Sequence, residues 1–532
     1  MTALTGTEKL VRLALRRDRI LLPVWIAVFV VVAVGSAAAV VDLYTTPAAR
    51  IAASATSNGT PSLVALYGWI YDPASVGAIA LLKLGGTFAA LVAVLSIVIT
   101  VRHTRSEEEA GRLELLGATV VGRHASLAAA MLVSTGTALI LGALTAVGLI
   151  AAGLPTEGSL AFGAAWASIV ISFAAVACVA AQLTKSAKAA TGIAVAVLGV
   201  TYLLRAIGDT TGSIEGPTAW SWLSPIGWSQ QIRPYAGDRW WVLAIALVFS
   251  VVATVAAHLL AGRRDLDAGL LPYRLGPGDA GRGLSGPLGL AWRLHRGMLI
   301  GWSAGFVVMG LVFGNVASNV GGLLDSPQAR EMVAALGGEK GLTDALISAL
   351  FGIIAVIASA YGVQAALRMR TEETGLRAEP VLATRFGRAH WMAGHLTVAL
   401  AGTAILMVIA GLAVGAAHAV TTGDADQLGR VLVAAVVRVP AAWVLTGLVV
   451  ALFGLLPRLA AASWALLVAF VLLGELGPVF QLDQWVMDLS PYAHVPSLPG
   501  GDVTAAPLLW LVGITAALIL AGLLGFRRRD VG

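Results

Sequence analysis

The chain has 532 residues, of which 58% are apolar and only 12% charged, with a mean hydropathy of +0.85 and a formal net charge of +6. Soluble domains run near 25% charged residues, so a soluble globular fold is excluded. The basic residues are spread along the chain instead of massed in a tail or stripe, which excludes a nucleic-acid-binding surface, and the single cysteine, Cys178, excludes an intrachain disulfide.

In chain order, the first element is a basic stretch at 6–19 carrying Arg12, Arg16, Arg17 and Arg19, followed by an apolar run at about 20–41. A helix of ~20 apolar residues crosses a ~30 Å hydrocarbon core. Further runs of that kind lie at about 77–101, 124–153, 160–184, 188–206, 240–261, 298–318, 344–367, 391–420, 428–455, 460–480 and 506–526. They make twelve predicted spans, six per half, in an all-α polytopic membrane protein. The first run is a full span flanked by arginines with no convincing cleavage region after it, so it reads as a retained anchor, not a signal peptide.

Arginines follow every second span: Arg102, Arg105, Arg112 and Arg123 after span 2, and Arg263 and Arg264 after span 6. Lys185 and Lys188 follow span 4, and the second half repeats the alternation at Arg368–Arg388, Arg458 and Arg527–Arg529. The intervening loops 42–76, 154–159 and 481–505 carry few basic residues, so the positive-inside rule puts both termini in the cytoplasm. Past span 6, Gly269, Pro272, Pro277, Gly278, Gly281 and Pro287 mark a cytoplasmic linker. The expected division is a first half at 1–268, a linker at 269–289 and a second half at 290–532. Arginine outnumbers lysine 30 to 5, as in proteins of GC-rich bacteria, so the expected location is a bacterial cytoplasmic (inner) membrane.

The halves are copies. RSEEEAGRLELLGATVVGR at 105–123 returns without a gap as RTEETGLRAEPVLATRFGR at 370–388, an offset of 370 − 105 = 265 residues, with nine of nineteen positions identical. Leu223-Ser224-Pro225 returns as Leu489-Ser490-Pro491, and Arg263-Arg264-Asp265 as Arg528-Arg529-Asp530. Six spans per copy is an even number, so the copies insert in the same orientation, as parallel repeats.

Within the charged segment, Ser106 and Thr371 are predicted N-caps of a short helix, with Glu107-Glu108 and Glu372-Glu373 at its positive end. Glu108 and Arg112, like Glu373 and Arg377, stand at i,i+4 in the favourable acid-first order. Acids contribute little to membrane orientation, so retention of three carboxylates in each copy points to a recognised surface rather than a loop that only sets topology.

These features resemble the type-2 ABC exporter permeases: a cytoplasmic helix between the second and third of six spans, a basic stretch before the first, and a broken loop between the fifth and sixth. The fused double length with R-[ST]-E-E-x-x-x-R-x-E-x-x-x-A-T in each half resembles most the actinobacterial exporters of polyketide antibiotics of the tetronasin-resistance type. The resemblance implies that Arg105, Glu107, Glu108, Arg112 and Glu114, with Arg370, Glu372, Glu373, Arg377 and Glu379, form coupling helices. These would seat in two copies of a separate ABC ATPase, which binds the ATP and Mg²⁺. It also implies interfacial elbow helices at 6–19 and 284–296. Pro380 stands where the first copy has Leu115, so a kinked or shorter second coupling helix is expected.

The chain has no G-x-x-x-x-G-K-[ST] loop, so ATP-driven work requires a partner, and the chain itself is expected to be no enzyme. The eight histidines form no HExxH or cysteine–histidine cluster, so no metal or other cofactor is expected on this chain. Ionisable groups inside spans are the default pathway candidates. Arg438 is the clearest, with a structural or snorkelling role as its alternative, while Lys83 and Glu475 read as snorkelling side chains. Trp220, Trp222, Trp228, Trp240, Trp241, Trp485 and Tyr492 read as an interface belt. By the resemblance, Trp228, Pro225, Pro491 and Tyr492 would instead start short re-entrant helices closing an outer gate. The function expected is export of hydrophobic or amphipathic compounds, antibiotics or drugs. The rivals are a proton-coupled multidrug transporter, which lacks the usual midspan acids here, and an intramembrane lipid-modifying enzyme, which lacks an acidic loop cluster.

Overall fold

Apolar runs that must satisfy their own backbone in lipid have the helix as their simplest solution, and the computed structural model bears this out. It describes residues 3–117, 119–265, 267–271, 279, 281–284, 286–318, 338–476, 483–501 and 504–530. Among these residues no strand occurs, and eleven helices are long and apolar enough to cross a membrane. Spans 1 to 6 are Leu21–Leu43, Leu84–Glu109, Ala125–Ala151, Thr156–Leu183, Ala187–Thr210 and Val242–Ala261. Spans 7 to 10 are Pro287–Ser318, Gly338–Thr374, Arg388–Thr422 and Asp426–Leu455, and span 12 is Ala505–Arg528. At the predicted span 11 stands a shorter apolar helix, Ser463–Leu476, after a 3-10 stretch Pro457–Ala462; residues 477–482 lie outside the described residues.

The chain divides into two compact units, Met1–Leu275 and Gly276–Gly532. In the first unit spans 2 and 4 form the core, 61% and 72% of their apolar windows being buried, against 22% for spans 1, 5 and 6. Span 6 accordingly exposes Leu247, Val251, Val255 and Leu259, one apolar face at helical spacing, as suits contact with lipid. In the second unit span 10 is the most buried. Spans 10 and 12 meet where a Cβ on Gly454 would stand 1.9 Å from the carbonyl oxygen of Gly522, a contact only glycine permits.

Two details differ from expectation. The first elbow is a separate helix, Thr7–Arg17, but the second is absent as a separate element, because residues 287–318 run as one helix. Pro23 in the first turn of span 1 cannot donate to the residue four before it, and so favours the break after Arg17. In the register that pairs Trp25 with Trp302, Ile300 replaces that proline and no break is imposed. Loop 42–76, read as irregular, contains helices Pro47–Asn58 and Pro61–Tyr67, each begun by a threonine followed by proline at the first helical position.

Candidate functional site: the doubled charged segment

In the first copy, span 2 is interrupted at Thr104 (φ −118°, ψ −91°), and one further turn, Arg105–Glu109, follows. Gly111, with φ +69°, reverses the chain into a second short helix, Arg112–Gly117. In the second copy the helix of span 8 runs on to Thr374, Leu376 makes the corresponding turn at φ +55°, and Ala378–Leu382 is the second short helix. Gly111 and Leu376 are related by the repeat offset, 376 − 111 = 265, so both copies build the same left-handed corner.

The predicted N-caps are therefore wrong. Ser106 lies inside its turn, and Thr371 lies within the last turns of a long helix, its hydroxyl donating back to the carbonyl of Leu367 at 3.3 Å. Glu372 and Glu373 consequently sit at the C-terminal, negative end of a helix, where a carboxylate is disfavoured and needs cations from elsewhere. Pro380 occupies the first turn of its short helix, where no intrahelical hydrogen bond is lost, and causes no kink. That helix has five residues against six in the first copy.

The cations come from distant parts of each half, in matching patterns. Glu108 accepts two hydrogen bonds from Arg264, at 2.5 and 2.8 Å, and one from the backbone N–H of Asp267 at 2.7 Å; it also pairs with Arg105 at 3.1 Å. Glu373 accepts two from Arg529, at 2.6 and 3.0 Å, and one from Arg370 at 3.1 Å. In each half the glutamate and its distant arginine are 156 residues apart in the chain. Arg123 donates to the carbonyls of Ala261, Gly262 and Arg264, and Arg388 to those of Phe526, Arg527 and Arg529, closing the C-terminal ends of spans 6 and 12. Gln182 at the end of span 4 accepts from Arg264 Nε at 2.8 Å, so three spans of the first unit converge here.

The predicted i,i+4 pairs do not form. Arg112 pairs instead with Glu107 at 2.9 Å and Arg377 with Glu372 at 3.2 Å, because the corner at Gly111 or Leu376 shifts the partner by one residue. Glu107 also accepts from Arg17 of the elbow helix, and Glu372 pairs with Arg368 at 2.7 Å. Burial, then the neighbouring Arg102 and Arg112 cations, holds the Arg17 pKa below its ordinary value.

Burial sorts the ten predicted contact residues. Arg105, Glu108, Glu372 and Glu373 are buried, and Glu107 and Arg370 half-buried. Removing one member of a buried, hydrogen-bonded ion pair costs about 3–5 kcal/mol, so Glu108 and Glu373 are members of a structural network. Arg112, Glu114, Arg377 and Glu379 are exposed, at matching positions in the two copies. Sequence reading missed Arg264, Arg529, Arg123 and Arg388 as members of this network. Their signal was present, since each pair repeats at the offset of the segment itself, 529 − 264 = 388 − 123 = 265.

The gate candidates are anchored elsewhere. Arg438 caps the break between Asp426–Val436 and Val439–Leu455; its guanidinium donates to the carbonyl of Ala434 at 2.6 Å and to the carbonyl and hydroxyl of Ser348, both at 2.8 Å. Its head group is thus engaged by the protein itself. Ser224 caps Pro225–Gln231, within which Trp228 is buried and donates to the carbonyl of Trp222 at 2.6 Å. Pro491 opens only a 3-10 turn, Pro491–His494, and burial raises the pKa of Tyr492, whose hydroxyl donates to Ser359 at 2.7 Å. Arg205, fully buried, pairs with Asp209 at 3.3 Å and donates to the carbonyl of Ala65 at 2.6 Å.

Two cavities of the first unit are informative by size. One among Tyr67, Trp69, Tyr71, Trp166, Gln230 and Arg233 holds about 60 Å³, room for a few waters and far below a drug site. The other, of about 480 Å³, opens beside Glu108, Arg123, Arg264 and Asp265, with Leu113, Val121 and Leu127 also on its wall.

Residues 284–527 match the sequence family described as the C-terminal domain of the multidrug efflux system permease Rv1217c. Over 530 aligned residues the chain is 46% identical to the multidrug efflux system permease protein Rv1217c of Mycobacterium tuberculosis (strain ATCC 25618 / H37Rv), an alignment covering 99% of this chain and 95% of that relative.

Proposed function

As the chain belongs to the family of multidrug efflux system permeases represented by this relative, we propose that it is the membrane subunit of an ATP-driven exporter. Its cargo is hydrophobic or amphipathic compounds, drugs or antibiotics among them. On this reading it is a type-2 ABC permease of the tetronasin-resistance type, in the bacterial cytoplasmic membrane, with both halves on one polypeptide. It is not itself an ATPase: two copies of a separate ABC subunit bind ATP and Mg²⁺ and hydrolyse it.

The observation that carries the reading is the doubled charged segment, which keeps the same two exposed charges in each copy of a mostly apolar chain: Arg112 and Glu114, and Arg377 and Glu379. These four residues contact the ATPase, and the buried glutamates hold the segment in shape. Each half has its own gate element at the other end of its spans: Pro225 and Trp228 in the first, Pro491 and Tyr492 in the second, where Arg438 anchors span 10. Against proton coupling, the carboxylates Asp209 and Asp344 are each paired with an arginine, Arg205 at 3.3 Å and Arg430 at 2.9 Å, which ill suits a proton relay.

The test is co-purification. An ATPase carrying a phosphate-binding loop should be recovered with the chain, two copies per permease by native mass spectrometry. It should be lost when Arg112→Gln, Glu114→Lys, Arg377→Gln and Glu379→Lys are combined, glutamine leaving Glu107 and Glu372 their other cations, Arg17 and Arg368. Recovery of no such ATPase, or equal recovery with the fourfold variant, would count against the proposal.

A further inference from the structure

We infer that Arg264 and Arg529 are positioning residues that lock each charged segment to the last span of its own half, so that a displacement of the segment is delivered directly to span 6 or span 12. The inference rests on the proposed docking of an ATPase for its purpose, and on geometry alone for its mechanics.

Three features carry it. Each arginine stands just past its span, three residues beyond the last helical residue in one half and one in the other, and makes a two-point contact to a buried glutamate of the segment. A planar guanidinium on a carboxylate fixes direction as well as distance, which a single point charge does not. The contact is doubled at a second place: Arg123 and Arg388, which close the segment, donate to the terminal carbonyls of the same spans. The segment is therefore tied near both of its ends to one helix terminus.

The second half also shows that the tie does not depend on one local design. Arg529 lies over the rings of Phe453 and Phe526, 4.9 and 5.1 Å from their centres, whereas Arg264 leans on Gln182 and the carbonyl of Ala268. The surroundings differ and the glutamate–arginine geometry is retained.

Spans 6 and 12 are the elements such a tie can move. Only 22% and 17% of their apolar windows are buried, against 72% for spans 4 and 10, so most of their surface is free of packing that would resist a tilt about the seam each keeps, at Gly522 in span 12. The coupling path runs from the exposed Arg112 and Glu114, through the turn that carries Glu107 and Glu108, into Arg264 and span 6. Its counterpart runs through Glu373 into Arg529 and span 12.

The test combines Arg264→Gln with Arg529→Gln and, in parallel, Arg264→Lys with Arg529→Lys; the lysine pair leaves no buried carboxylate without a cation. In the reconstituted complex the glutamine pair is expected to retain the ATPase and its basal hydrolysis. Drug exported per ATP hydrolysed should fall about tenfold, within the range of site-to-site couplings, and the lysine pair should fall between. A merely structural role would lower complex yield and hydrolysis together and leave that ratio unchanged in both pairs, which would overturn the inference. A second measurement needs no ATPase and so separates failure of the latch from failure of the docking proposal. Spin labels at Ala110→Cys and Arg263→Cys, with Cys178→Ala, should give one narrow distance distribution that broadens with Arg264→Gln. An unchanged width would refute the latch whatever the energy source.

Discussion

Gly522→Ala should part spans 10 and 12. A Cβ at 522 would stand 2.3 Å from the carbonyl oxygen of Val450 and 2.6 Å from its carbon, where ordinary contact begins at 3.4 Å, so the helices must separate by 3.4 − 2.3 = 1.1 Å. A gap of that size forfeits up to about half of each ~0.15 kcal/mol atom-pair attraction; over the ~40 pairs of such a seam the loss is about 2 kcal/mol. That agrees with the usual cost of overpacking, about 1–3 kcal/mol. The assay is thermal unfolding of the detergent-solubilised protein, with Gly513→Ala as control, since nothing lies within 4 Å of a Cβ placed there on the same helix. Gly522→Ala should lower the midpoint by roughly 4 °C, and Gly513→Ala should leave it in place. Equal midpoints for the two variants would refute the close-contact argument. The shift bears on the site as well, because Arg529 follows seven residues after Gly522 on the same chain end.

Two further outcomes follow from buried charge and backbone shape. Arg205→Leu leaves Asp209 buried without its cation and should cost about 3–5 kcal/mol; adding Asp209→Leu should recover much of the loss in the same unfolding assay. Gly111→Ala, at φ +69°, should destabilise by about 1 kcal/mol, whereas Leu376→Gly, at φ +55°, should be neutral or stabilising; both are read from unfolding midpoints.

The spans were legible because apolar length is a local property, and predicted and observed ends agree closely for most of them, as at 20–41 against Leu21–Leu43. The helices in loop 42–76 went unread although Thr46-Pro47 and Thr60-Pro61 announced them, because a search for apolar runs passes over short polar helices. The second elbow was expected from the family resemblance, and the missing equivalent of Pro23 removed the reason for a break. At the site, the repeat revealed which residues matter, but spacing rules for an unbroken helix assigned Glu108 to Arg112. The corner at Gly111 invalidated that pairing, and a non-glycine residue, Leu376, gave no local warning of the same corner in the second copy. The partner that Glu108 finds is 156 residues away, a separation at which only the shared offset of 265, and no helical periodicity, could have connected the two.

The central claim is that ATP hydrolysis by a docked partner drives efflux through this chain. Inside-out membrane vesicles containing the chain and its co-purifying ATPase, given a fluorescent amphipathic dye, test it most directly. Dye uptake should require ATP and Mg²⁺ and continue after a protonophore has collapsed the proton gradient. Uptake that survives removal of every ATPase and disappears with the proton gradient would contradict it.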